Sequence, residues 1–199
     1  QLQARRQGGD VVLLIGNHEL FLLINNFRLI ALNPDYKHAV QTYGQADRIY
    51  LLYQNMRQDL LRAIAEGNVQ AAFTVGGFVL VHAGVLPALV RAMYPGVETE
   101  SPEEQFVGDV NQALRESVIR NGENAATYQF NGQGHPIFSR EIGIFWIHPE
   151  KIRESKEGLT YNLIVGHVLN RSQKVTRTQM YHRLVTYRHL IWVDVGQQE

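Results

Sequence analysis

The chain has 199 residues, of which 45% are hydrophobic and 19% charged, a balance typical of a folded globular protein that excludes a disordered one. Its 19 basic and 19 acidic residues cancel, so nothing indicates electrostatic capture of nucleic acid or of an anionic membrane. There is no cysteine, which excludes disulfides and thiolate metal sites. Any metal would be held by histidine, asparagine and carboxylate side chains.

The apolar runs are too short to span a bilayer, so we expect no transmembrane segment. The sequence predicts a soluble protein and fits a cytoplasmic or an organellar compartment equally. The first residues, QLQARRQGG, resemble neither a signal peptide nor a natural start, because they lack a methionine. We therefore expect the chain to begin within a longer protein.

The first predicted element is a strand over residues 11–15, an apolar run bounded by glycines and expected to be buried on both faces in a central sheet. A helix is predicted over residues 46–66, with apolar side chains at helical spacing and Gly67 as its stop signal. Two strands, 71–75 and 78–82, then flank Gly76-Gly77, a pair typical of a tight hairpin.

A capping box at residues 101–104 predicts a second long helix that runs to about Asn121. Its predicted apolar face consists of Phe106, Val110, Ala113 and Val118. The polar, glycine-rich stretch 121–135 is predicted as a loop. The last predicted strands are 162–165 and a meander of 174–178, 183–187 and 190–195. Strands mixed with helices indicate a layered α/β domain.

Three of the predicted strands end in a histidine or are followed by one within three residues, and a glycine lies one or two positions from each histidine. Gly16 is followed by Asn17-His18-Glu19, His82 precedes Ala83-Gly84, and His167 follows Gly166. Strand ends are where α/β folds place their sites, and imidazole and carboxamide groups suit divalent transition metals. A lone histidine at a strand end is more often structural, and spacing alone leaves open whether the three converge.

In this order, Gly16-Asn-His-Glu19, Val81-His-Ala-Gly84, an arginine-bearing loop and Gly166-His167 resemble the second half of a known signature. That signature belongs to the binuclear metallophosphoesterases of the phosphoprotein phosphatase type. The stretches Asn26–Pro34 and His135–Glu141 are similar to segments of the Shewanella-like branch of that family. The resemblance implies a calcineurin-like sandwich of mixed sheets flanked by helices. It would form a single domain over residues 1–199, truncated at its N-terminus.

The resemblance implies a role for each matched residue. Asn17, His82 and His167 would ligate one of two metals, and His18 would be the general acid that protonates the leaving alkoxide. Arg140 would bind phosphate oxygens through its planar guanidinium, although it could equally belong to a surface ion pair. Hydroxide bridging the two metals would attack phosphorus in line.

The upstream half of the signature, Gly-Asp-x-His-Gly and Gly-Asp-x-x-Asp-Arg-Gly, has no counterpart, because only fifteen residues precede Gly16. The complete enzyme would hold two divalent or trivalent ions, manganese, iron or zinc. This chain would hold at most one, poorly. We expect the chain alone to be inactive, and a missing N-terminal segment or a covering partner polypeptide to complete it.

Two hypotheses of function follow. The first is a metal-dependent protein phosphatase that acts on phosphoserine, phosphothreonine or phosphotyrosine in a phosphoprotein substrate. The second is a catalytically degenerate phosphatase-like domain that serves as a scaffold or as a structural subunit. Trp146 and Trp192 are predicted to anchor packing. The remaining histidines stand in no motif: His38, His135, His148, His182 and His189.

Overall fold

The computed structural model describes residues 6–9, 11–24, 46–96, 102–121, 134–148, 151–152, 155, 160–166, 179–183 and 188–192. Over these residues the chain is a mixed α/β protein with helices and small mixed sheets, which confirms the fold class at that level. The chain divides into two compact units. The first unit comprises Gln1–Gln70 and Leu114–Tyr128, and the second comprises Ala71–Ala113 and Gln129–Glu199. The single domain over residues 1–199 stays a prediction.

Strand β1 of the first unit, Leu13–Leu14, pairs in parallel with β2, Val69–Gln70. The N–H of Ile15 continues the pairing by donating to the carbonyl of Gln70 at 2.8 Å. The predicted strand over 11–15 is therefore shorter, and its expected burial on both faces is wrong. Leu13 is 49% exposed and Leu14 is half-buried, whereas Ile15 is 1% exposed, so the run is fully buried only at its end.

Two helices follow in the first unit: α1, Asn17–Leu23, and α2, Ala46–Ala65, which pack against each other. Helix α2 ends at the predicted stop. Gly67 has a φ of 78°, and its N–H donates to the carbonyl of Ile64 at 3.0 Å. The N–H of Asn68 donates to the carbonyl of Ala63 at 2.8 Å. This pair of bonds satisfies the last carbonyls of a helix when a glycine takes the left-handed conformation.

The sheet of the second unit has the order β3-β4-β5-β7-β6 within the described residues. Its strands are β3 Ala72–Val75, β4 Phe78–Val81, β5 Leu163–Val165, β6 Gln179–Arg183 and β7 Arg188–Trp192. Strands β4, β5 and β7 are parallel, and β3 and β6 run antiparallel to their neighbours. The predicted hairpin is confirmed: Gly76 and Gly77 both have positive φ, 55° and 78°, as a tight two-residue turn requires.

The predicted late strands are partly wrong. Strand β6 occupies Gln179–Arg183, most of which lies between the predicted strands 174–178 and 183–187. Strand β7 begins two residues before the predicted start at Leu190. The predicted strand 174–178 lies outside the described residues, as do 184–187 and 193–195. No glycine or proline punctuates residues 174–195, so local composition leaves the strand boundaries open there.

Helices α3, Pro87–Met93, and α4, Glu103–Asn121, are followed by a 3₁₀ turn at Pro136–Phe138. The long helix and its apolar face are confirmed, since Phe106 and Val110 are completely buried and Val118 is 4% exposed. In the second unit Phe106 packs on Tyr161, with ring centroids 4.9 Å apart. Within the described part of the chain, no helix combines the length and apolar composition needed to cross a bilayer.

Candidate functional site

Asn17 and His18 lie in the first turn of helix α1 rather than in a loop, because the helix begins at Asn17 itself. The preceding Gly16 is extended, with φ −113° and ψ −173°. Its N–H donates to a carboxylate oxygen of Glu19 at 2.8 Å. Glu19 thus holds the point at which the strand ends and the helix begins. Asn17 is half-buried and His18 is exposed.

The other end of helix α1 is held by Arg57 of helix α2. The Nε of Arg57 donates to the carbonyl of Leu23 at 2.8 Å, and Arg57 is only 3% exposed. A cation at a helix C-terminus interacts favourably with the helix dipole and satisfies a carbonyl that the helix leaves open. The helix that carries Asn17 and His18 is therefore fixed at both of its ends.

In the second unit, His82 directly follows strand β4. Its carbonyl accepts a hydrogen bond of 3.0 Å from the N–H of Gly166, which directly follows strand β5. The preceding residues, Val81 and Val165, are paired in the parallel register. The carboxyl ends of β4 and β5 thus lie side by side, at the edge of a parallel sheet where ligands commonly bind. His167 is the next residue after Gly166 and lies outside the described residues.

The segment after His82 is bonded to the segment 134–148. The carbonyl of Ile144 accepts from the N–H of Ala83 at 2.9 Å and from that of Gly84 at 3.4 Å. Ala83 is completely buried, so its methyl group is accommodated within the fold. At Gly84 a Cβ would overlap Cδ1 of Ile152 and lie 3.1 Å from its Cγ1. A side chain at position 84 would therefore require Ile152 to shift.

Arg140 lies in a tight turn of the segment 134–148. The Oγ of Ser139 accepts from the N–H of Glu141 at 3.2 Å and from that of Ile142 at 3.4 Å, and Gly143 N–H donates to the Ser139 carbonyl at 2.8 Å. Arg140 itself is exposed, and its guanidinium carbon lies 5.4 Å from the centroid of the Trp146 ring. This is within the distance at which a cation is attracted to an aromatic face.

The structure places two of the predicted site residues on bonded segments of the same unit. His82 and Arg140 stand in the second unit on backbone segments joined through Ile144, whereas Asn17 and His18 belong to the first unit. His167 and the stretch Asn26–Pro34 lie outside the described residues. Sequence reasoning assigned Trp146 to packing alone and missed its contact with Arg140, because a spacing of six residues within a loop follows no periodicity.

Among the described residues, no group of three or more histidine, aspartate or glutamate side chains has an arrangement that could hold a metal ion. The predicted ligand His167 lies outside the described residues and stays a prediction. The predicted ligands that the structure does describe, Asn17 and His82, are both half-buried.

Two solved structures resemble this fold. One is the cold-active protein-tyrosine phosphatase of a psychrophilic Shewanella species, with a TM-score of 0.51 and 14% identity over 97% of this chain and 52% of that chain. Another structure of a cold-active protein tyrosine phosphatase matches with a TM-score of 0.53 and 16% identity, over 97% of this chain and 51% of that one. The chain thus has a phosphatase-like fold and spans about half the length of the structures it matches. Comparison with family models and with curated proteins gives no match.

Proposed function

We propose that this chain carries part of the active site of a metal-dependent phosphomonoesterase that acts on phosphoproteins. The observation that carries the proposal is the backbone hydrogen bond between His82 and Gly166. It supports a shared location for two of the histidines that the sequence motifs single out, since His167 is one residue further along the chain. The likeness in fold to two protein-tyrosine phosphatases supports the same conclusion independently.

The proposed ligands fit a metal by their chemistry. The amide oxygen of Asn17 and the imidazole nitrogens of His82 and His167 are donors that first-row transition ions accept. Two such ions, when bound in the complete enzyme, supply a nucleophile at neutral pH and neutralise charge on the phosphoryl group. Manganese, iron and zinc remain the candidates.

The chain's own residues have separate roles in the proposed reaction. Arg140 binds the non-bridging phosphate oxygens through its guanidinium donors. His18, which is exposed, donates a proton to the oxygen of the leaving alcohol as its bond to phosphorus breaks. Glu19 keeps the turn before the helix in place through its bond to Gly16 and takes no part in the chemistry.

The test compares the longest polypeptide that the gene encodes around these residues with the 199-residue chain. Release of phosphate from an aryl phosphate and from a phosphotyrosine peptide is measured with manganese and with a chelator. We expect chelator-sensitive turnover by the longer protein and none by the 199-residue chain. His18→Gln should lower kcat about 10²- to 10⁴-fold, as loss of a general acid does, while His148→Gln serves as the matched control. Metal-independent turnover, or an unaffected His18→Gln variant, contradicts the proposal.

A second candidate function is a non-catalytic scaffold, and exposed apolar side chains in the first unit favour it. Leu51 and Leu52 of helix α2 are 59% and 57% exposed, and Leu13 of strand β1 is 49% exposed. Exposed large apolar side chains at neighbouring positions, such as Leu51 and Leu52, favour an interaction surface. A longer protein that binds no metal, releases no phosphate and co-purifies with a stoichiometric partner would favour the scaffold over the enzyme.

A further inference from the structure

We infer that Trp146 is a positioning residue that orients the guanidinium of Arg140 for binding a phosphate oxyanion, an inference that rests on the proposed function. The observation is the contact between the guanidinium carbon of Arg140 and the indole ring, at 5.4 Å from the ring centroid. Arg140 is exposed and Trp146 is half-buried. The contact therefore joins a side chain that extends into solvent to one that is anchored in the fold.

Exposed arginine side chains sample many rotamers, and an anion that binds one must first overcome that freedom. An indole face against the guanidinium removes part of the freedom and leaves the donors at the edge of the guanidinium plane available to an oxyanion. A planar guanidinium can lie against an aromatic ring in a way that the compact ammonium of lysine cannot. Lysine could supply the charge at this position but not the flat surface that Trp146 contacts.

The backbone beneath this pair of residues is rigid for identifiable reasons. A Cβ at Gly143 would overlap the carbonyl oxygens of Ile137 and Ser139, so the turn is wound directly onto the preceding 3₁₀ turn. The side chains of Ile144 and Phe145 are completely buried, and Phe145 stacks on Phe138 with centroids 5.9 Å apart. Trp146 is therefore anchored by the residues before it, and it can act as a fixed surface for Arg140.

The same segment is joined to the backbone after His82. The Ile144 carbonyl accepts from the N–H groups of Ala83 and Gly84, which ties the Arg140 turn to the end of strand β4. An oxyanion held by Arg140 would thus be presented from a segment that cannot shift independently of the strand carrying His82. Trp146 adds to this connection, because it orients the side chain of Arg140, whereas the hydrogen bonds to Ile144 hold the backbone.

The experiment measures binding of inorganic phosphate to the 199-residue chain in a Trp192→Phe background. Trp146 is then its only tryptophan, since the chain has two. We expect phosphate to change the emission of Trp146 in a saturable way, and Arg140→Ala to abolish that response and to alter the emission of the free chain. Calorimetry on the chain that retains Trp192 gives the affinities of the Trp146 variants. Arg120→Ala, another exposed arginine, is the matched control and should change neither quantity.

Trp146→Leu should weaken phosphate binding about three- to fivefold, the equivalent of about 0.7–1 kcal/mol at 1.4 kcal/mol per tenfold. Trp146→Phe should recover most of the affinity, because it restores an aromatic face, and Arg140→Lys should bind no better than Trp146→Leu. Far-ultraviolet circular dichroism checks that each variant is folded. If Trp146→Leu does not fold, Trp146→Phe and Arg140→Lys still decide the outcome.

Equal phosphate affinity in the parent chain and Trp146→Leu overturns the positioning role, as does the absence of any phosphate response. Phosphate binding that depends on Arg140 and Trp146, combined with no turnover by the longer protein, leaves this inference standing and removes the proposed function. Metal-dependent turnover by the longer protein that does not change when Trp146 is replaced supports the proposed function and overturns this inference. The two failures are therefore distinguishable.

Discussion

The N–H of Gly166 donates a hydrogen bond of 3.0 Å to the carbonyl of His82, across the ends of two parallel strands that are far apart in the sequence. The bond extends the register in which Val81 pairs with Val165. It brings Gly166, the glycine of the Gly-His motif, next to His82 at the end of strand β4. Neither motif alone predicts this, because parallel pairing depends on contacts between distant segments.

The first prediction concerns metal binding by these two motifs. His82→Ala and His167→Ala should each lower the affinity of the chain for zinc or manganese by at least about tenfold, because each removes a nitrogen ligand. The affinity of the double variant for metal should be only slightly lower than that of the single variant that binds metal less tightly. Either substitution alone already disrupts the site of the shared ion. Calorimetric titration of metal into the four proteins measures this, with His148→Gln as the control. Independent, additive losses would show that the two histidines do not share an ion.

The second prediction concerns the close approach at Gly84. Gly84→Ala should lower the free energy of unfolding by about 1–3 kcal/mol, because the new methyl group overlaps Ile152, which is only 1% exposed. Gly108→Ala is the matched control. Gly108 is exposed within helix α4 with no atom within 4 Å of an added Cβ, so this change should stabilise by about 0.5–1 kcal/mol. Urea titrations give both values, and equal effects of the two substitutions would contradict the packing argument.

The third prediction concerns Gly143, where the added methyl group meets backbone rather than side-chain atoms. The overlapping atoms are the carbonyl oxygens of Ile137 and Ser139, and the carbonyl carbon of Ile137 is 2.8 Å away. A backbone cannot move aside as the end of a side chain can. Gly143→Ala should therefore cost about 3 kcal/mol, more than Gly84→Ala in the same urea titration. The reverse order of the two costs would argue against the tight winding of the Arg140 turn.

Features that are determined by the backbone conformation or periodicity of one short segment could be predicted from the sequence. Gly76-Gly77 predicted the hairpin because both positions of such a turn need positive φ, and Gly67 predicted the end of helix α2 for a similar reason. The apolar periodicity of Phe106 and Val110 predicted the buried face of α4 because a single helix determines it.

Features that depend on a distant segment could not be predicted in the same way. The run 11–15 has the composition of a central strand, but its burial depends on which strands lie beside it, and Leu13 is half-exposed. Likewise, nothing in the sequence around Arg140 indicates that Trp146 lies near its guanidinium. The motifs of the candidate site could therefore be identified from the sequence, and the contacts around Arg140 could not.

The fourth prediction concerns Asn111 of helix α4, whose side chain substitutes for a neighbouring strand at the start of β3. Its Oδ1 accepts from the N–H groups of Ala71 and Ala72 at 2.8 and 3.0 Å, and its Nδ2 donates to the Ala72 carbonyl at 2.9 Å. Asn111→Ala leaves three backbone groups of completely buried residues without these bonds. It should cost about 2–4 kcal/mol of unfolding free energy.

The partial replacement Asn111→Asp separates the two kinds of bond. The carboxylate keeps the two accepted bonds but sets an oxygen against the Ala72 carbonyl oxygen in place of the donated bond, so Asn111→Asp should also destabilise the chain, and less so at a pH where the carboxyl is protonated and can donate. Arg115→Ala, an exposed position on the same helix, should change stability by no more than about 0.5 kcal/mol. If chemical denaturation shows Asn111→Ala to be as mild as Arg115→Ala, the three bonds do not stabilise the start of β3.

The last prediction concerns Arg57, the buried cation at the end of helix α1. Replacing a buried charge with an apolar residue of similar size is often neutral when all of its partners are replaced with it. Here the carbonyl of Leu23 remains, and Leu23 is completely buried. The substitution removes the cost of burying a charge, but the cost of leaving the Leu23 carbonyl without this hydrogen bond is larger. Arg57→Met should therefore destabilise the chain by about 1–3 kcal/mol. It should also raise amide hydrogen exchange across residues 17–23, which follow Gly16 in helix α1.

Arg62→Met is the control for this change, because it removes an arginine from the same helix. Arg62 lies 3.6 Å from Asp59 with 67% and 74% of the two side chains exposed, so the ion pair contributes almost nothing. Hydrogen exchange measured by mass spectrometry should therefore change at helix α1 in Arg57→Met and stay unchanged there in Arg62→Met. Equal exchange in both variants would mean that the helix carrying Asn17 and His18 does not depend on Arg57, and that its position is set by packing alone.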